Sequence, residues 1–214
     1  MTIAQTAAEY ADRYQAALAS GSLEQGVWNS EKDGRHVACA LGVLGSEVES
    51  ASQCPAQIMP RWLAQMVPAF FDQQKPTDAF QWGADFTSEL KRLDGQVPFR
   101  VVHDWHATTV CQLGIDAAML RKRDTAPHVA LKALHLRALA GEEVTADEWR
   151  LVLRNAYADA YANANADAYA DPYAYANADA YADTYAYADA YADAYAYADA
   201  NAYAWKRLAY GMVT

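Results

Sequence analysis

Apolar residues recur at helical spacing along the first two thirds of the chain, and the last third abandons that spacing. "TIAQTAAEYADRYQAALASGS" has helix-forming composition and stops at Gly21, a C-cap residue. "VWNSEKDGRH" is polar around Asp33 and Gly34, which predicts a turn or short hairpin. "VACALGVLGSEVES" is small and apolar and predicts a buried helix. "PRWLAQMVPAFFDQQ" spaces Trp62, Leu63, Met66, Val67 and Phe70 helically, with Pro68 predicting a kink or an early end. In "TDAFQWGADFTSELKRLDG" Thr77 is the expected N-cap, Phe80, Phe86, Leu90 and Leu93 supply the apolar side, and Gly95 lies past the end.

"VPFRVVHDWHATTVCQLGIDAAMLRKR" is expected to open as a short strand over 99–102. It should continue as a helix ending on Arg121, Lys122 and Arg123, which suit the negative end of the helix dipole. "APHVALKALHLRALAG" predicts a short helix with Pro127 in its first turn and Gly141 after its end. The clearest start in the chain is "VTADEW". Thr145 is the N-cap, Glu148 stands at capping-box spacing, and Val144 and Trp149 sit where a hydrophobic staple closes. That helix is expected to run into "RLVLRNAYADAYA".

Over 155–204 almost every second residue is alanine, and the positions between are Tyr, Asp or Asn and nothing else. Units begin at Tyr157, Tyr169, Tyr181 and Tyr191, each with a Tyr-Ala-Asp start. Such self-similarity marks an array or a solenoid. Alternation with period two is a strand signature. Alanine, however, is a poor strand former and the best helix former, and the segment contains no glycine for tight corners. As a helix, a spacing of four residues drifts by about 40° per step. The tyrosines 157, 161, 169, 173, 181 and 185 therefore wind around the axis rather than marking one face. Asp171 and Pro172 read as an N-cap followed by proline at the first helical position, so the repeat splits into two helices near Pro172.

The fold class that follows is mainly α: a helical globular domain over 1–144 and a repeat tail over 145–214, with a C-terminal β-solenoid as the alternative. A bland origin for the repeat, slippage of a short DNA repeat, needs no dedicated function.

Composition narrows the functions. The chain has 214 residues and a formal net charge of -10. That balance argues against binding nucleic-acid phosphates or anionic membrane surfaces. No apolar run reaches the roughly 18 residues that span a bilayer. The first residues have no basic start followed by an apolar segment, and Cys39, Cys54 and Cys111 are an odd set without framework spacing. Reduced thiols and a cytoplasmic location are expected.

"HDWH" is the most enzyme-like string. On a helix His103 and His106 share a face, with Asp104 beside them, and two imidazoles plus a carboxylate can hold zinc or iron. No HExxH or paired CxxC accompanies it. The competing reading makes both histidines partly buried structural groups with Trp105 in the core. Cys39 is either a nucleophile with a histidine partner or, the preferred reading, a buried structural thiol. His36, His128 and His135 read as surface or cap histidines. Asp159, Asp167, Asp171, Asp179, Asp183, Asp189, Asp193 and Asp199 have no compensating cation before Lys206 and Arg207. They either imitate nucleic-acid phosphates toward a DNA-binding protein or simply keep the segment soluble.

"HVACALGVLG" resembles a Cys-x-Leu-Gly-x-Leu motif of small uncharacterised proteins of bacteria and their phages, and the Ala/Tyr/Asp tail looks like tails of hypothetical phage proteins. The resemblance covers 37–45 and 155–204 and implies no catalytic residue. It implies a phage or mobile-element origin, where small acidic proteins bind host or defence components.

The function expected from all this is non-enzymatic binding, with no cofactor. The contact residues are Tyr173, Tyr175, Tyr185, Tyr187, Tyr195 and Tyr197 with Asp183 and Asp193, toward a protein partner or a second copy of the chain. Tyrosine offers large contact area at low entropic cost. The alternatives are a metal-dependent enzyme using His103, Asp104 and His106, and a solenoid that binds an extended surface such as ice or a polymer.

Overall fold

The computed structural model describes residues 2–120, 122–164 and 202–213. They are mainly α-helical, with one two-stranded antiparallel sheet. The chain divides into two compact units, Met1–Pro98 with Val213–Thr214, and Phe99–Met212.

In the first unit, helix α1 (Ala7–Ser20) is capped by Thr6, whose side chain accepts the Glu9 N–H, and closed by Gly21. The expected hairpin forms from β1 (Asn29–Lys32) and β2 (Arg35–Ala38). Asp33 and Gly34 both take positive φ, 54° and 72°, as the favoured two-residue hairpin turn requires. Helices α2 (Arg61–Asp72) and α3 (Pro76–Arg92) complete the unit. Pro68 lies inside α2, which continues for a further turn to Asp72. Pro76 takes the first turn of α3, so Lys75 rather than the expected Thr77 is its N-cap. Tyr14 on α1 donates its hydroxyl to the Phe80 carbonyl at 3.1 Å, and Trp82 stacks on Phe86 with ring centroids 5.0 Å apart. These contacts build the core between α1 and α3.

The segment expected as a buried helix, 37–50, is buried over 37–45 and at Val48 but is not helical. Val37 and Ala38 belong to β2, and only Gly42–Leu44 makes a single 3-10 turn. Tertiary partners take the backbone groups that a helix would use. Tyr10 donates to the Ala40 carbonyl at 2.9 Å, Ala4 N–H to Leu44 at 2.8 Å, and Cys39 N–H to Trp28 at 3.2 Å. Gly42 lies so close to the Trp28 carbonyl that a Cβ there would fall 1.8 Å from its oxygen.

The second unit opens with α4 (Arg100–Trp105), where a strand over 99–102 was expected. Val102, Trp105, His106 and Val110 are buried at helical spacing, and that one-sided burial fixes the segment as helix. A π-helical stretch, His106–Val110, leads into α5 (Cys111–Leu120). Helix α6 is Ala126–Leu139 and α7 is Ala146–Ala164. The predicted capping box of α7 is present: Glu148 N–H donates to Thr145 Oγ1 at 3.3 Å, and Thr145 N–H to Glu148 Oε2 at 2.9 Å. A last helix, α8, spans Ala202–Val213.

The expected boundary at 144/145 falls inside this second unit, because Leu153 and Ala156 of α7 share a core with Cys111 and Leu131, and Trp149 and Val152 pack against it. The start of the first repeat unit, from Tyr157, is thus helical as far as Ala164. The break near Pro172 lies outside the described residues, among which no solenoid is seen.

Candidate functional site

Two features of the second unit are candidates: a cluster of imidazoles, and the pair of helices that hold the repeat. The cluster forms where α4, the π stretch, α6 and α7 meet. His103 and His106 do share a face, and that face meets His135 of α6. The Nδ1 atoms of His103 and His135 lie 3.0 Å apart in a hydrogen bond, so one ring donates and the other accepts. The His106 ring stacks on His135 at 4.5 Å with an interplanar angle of 20°. Trp149 of α7 closes the group, 4.8 Å from His135 and stacked on His103 at 5.7 Å. Trp149 thus covers two of the imidazoles.

His135 has no exposed surface, and its Nε2 has no hydrogen-bond partner among the described residues. Burial, and then the neighbouring imidazoles of His106 and His103, push its ring down to about 2, so it is neutral across the physiological range. His128 and His135, expected at the surface or as caps, are both buried. Sequence reasoning missed His135 because it lies about thirty residues from His106 and His103, and no local spacing links them.

Asp104 is exposed. Among the described residues no three His, Cys, Asp or Glu side chains are arranged to hold a metal ion. What the cluster offers chemically is a proton-sensitive contact between α4, α6 and α7.

Cys39 is buried and accepts the Gly42 N–H at 3.4 Å. Burial pushes its thiol up to about 11, which removes the thiolate that nucleophilic chemistry needs. No disulfide joins Cys39, Cys54 and Cys111.

The second candidate is the mount of the repeat. Helix α7 enters it from the shared core described above. Helix α8 follows it and returns to the same unit. Trp105 Nε1 donates to the Leu208 carbonyl at 2.9 Å, and Leu208 and Ala209 are buried. Gly211 lies against Thr109 so closely that a Cβ would fall 2.4 Å from its Oγ1. Arg207 faces Asp116 at 3.9 Å. The repeat is therefore flanked on both sides by helices that pack in this unit. The signal was present in "WKRLAYGM": Trp205, Leu208 and Met212 restore helical apolar spacing after the repeat. Tyr173, Tyr175, Tyr185, Tyr187, Tyr195, Tyr197, Asp183 and Asp193 lie outside the described residues.

No helix among the described residues is long and apolar enough to cross a membrane. Comparison with protein-family models, curated proteins and solved structures finds no match for this chain.

Proposed function

We propose that the chain is a non-enzymatic interaction protein whose second unit holds the Tyr/Asp repeat by both ends and presents it to another protein surface, a second copy of the chain first among them. The observation that carries this reading is the double mount. A stretch of slipped repeat with no use needs no second anchor, whereas α8 is tied to Trp105, Thr109 and Asp116 by a buried hydrogen bond, close packing and charge. The repeat supplies tyrosine as contact area and aspartate to keep that area soluble and to select basic or polar partners. An origin in a phage or mobile element accords with this use.

Sedimentation velocity of the full chain tests the reading. The wild type should associate reversibly at micromolar concentration. Replacing Tyr173, Tyr175, Tyr185, Tyr187, Tyr195 and Tyr197 together with serine should weaken association at least tenfold while the helicity read by far-ultraviolet dichroism stays high. A wild type that stays monomeric at every concentration, or association indifferent to the six substitutions, overturns it.

A further inference from the structure

The imidazole cluster sits at the root of the helix that enters the repeat, and its geometry responds to protons. In the His103–His135 pair only one Nδ1 carries hydrogen. One added proton is accommodated if His103, the partly exposed member, takes it and donates to His135. A second proton is not accommodated. Both Nδ1 atoms would then carry hydrogen, and two like charges would face each other across 3.0 Å. His106, stacked at 4.5 Å, adds a third imidazole to the same contact.

The charged groups on the surrounding elements are exposed or engaged with other groups. On α4, Arg100 and Asp104 are exposed. On α5, Asp116 accepts from Gln112 and faces Arg207 of α8, and Cys111 lies in the neighbouring apolar core. On α6, Lys132 donates to Gln112 and Arg137 pairs with Glu142 and with Glu148 of α7, while His128 is a further buried imidazole. On α7, Asp147 pairs with Arg150 at the surface, and Arg154 is exposed.

We propose that His103, His106 and His135 form an acid-operated latch, which holds α7 against α4 and α6 when the imidazoles are neutral and releases it when the His103–His135 pair takes its second proton. The latch stands whatever the repeat contacts. Its sign follows from linkage. His135 is neutral in the closed unit and charges at its ordinary value, near 6.5, once α7 and α6 part. The open form binds more protons below that value, so opening grows about tenfold per pH unit below 6.5 for His135 alone.

Hydrogen exchange on the full chain, corrected for intrinsic exchange rates between pH 7.5 and 5, measures this. Peptides of 146–156 should show that tenfold-per-unit rise in opening, while peptides of α1 and α3 in the first unit change little. His135→Leu, which cannot charge, should flatten the dependence at 146–156. Should that variant fail to fold, the ring resonances of wild-type His135 decide: the latch requires them to report the neutral form at every pH where α7 remains protected. Opening that is independent of pH, a slope that survives in His135→Leu, or a His135 that titrates near 6.5 while α7 stays protected would each overturn the proposal.

Discussion

Gly42 shows how one atom decides a segment. The chain passes so near the Trp28 carbonyl that a side chain at position 42 meets backbone rather than a movable group. Gly42→Ala should therefore cost roughly 2–3 kcal/mol, within the range for overpacking a tight interior. A lowered urea midpoint of the first unit with an unchanged slope checks this. The same residue explains why "VACALGVLGSEVES" does not form the helix its composition suggests. Its burial was legible in its apolar content, but its conformation is set by Tyr10, Ala4 and Trp28, residues distant in sequence. His135 is the parallel case in the second unit. A histidine in "LKALHLRAL" carries no mark of the imidazoles it meets from another helix.

At the scale of elements, local chemistry was readable wherever it decided the outcome. Thr145 and Glu148 make their capping box, Gly21 ends α1, and Asp33-Gly34 turns the hairpin. These signals act within a few residues and need no tertiary partner. Elements selected by packing were not readable in the same way: α4 replaced a strand, and α7 joined the core of Cys111 and Leu131 rather than beginning a separate tail. A chain cut near Gly141 would strip Trp149, Leu153 and Ala156 from that core, so no clean boundary exists there. Helix α8 depends on Trp105 in a way that can be measured. Trp105→Phe keeps an aromatic ring but leaves the buried Leu208 carbonyl without its donor, a loss of about 1–3 kcal/mol. Amides of 206–212 should then exchange faster, with protection in α1 and α3 unaltered. Equal protection in both proteins would show that α8 is held by other contacts.

For the whole molecule, the account joins an acidic, tyrosine-rich repeat to a helical unit that grips both of its ends. The grip separates two properties. On the proposed function, stability resides in the helices on either side of the repeat and association in the repeat itself. Shortening a connection between fixed ends changes its closure entropy only slowly, about 0.6 kcal/mol per doubling of length. An in-frame deletion of 169–190, which removes two of the repeat units, therefore tests the central claim most directly. Sedimentation velocity and hydrogen exchange are read on the same full-length and shortened proteins. The account requires self-association to fall at least tenfold while 146–156 and 206–212 keep their protection within a factor of about three. Association equal to that of the full chain, or loss of protection in either helix, would contradict it.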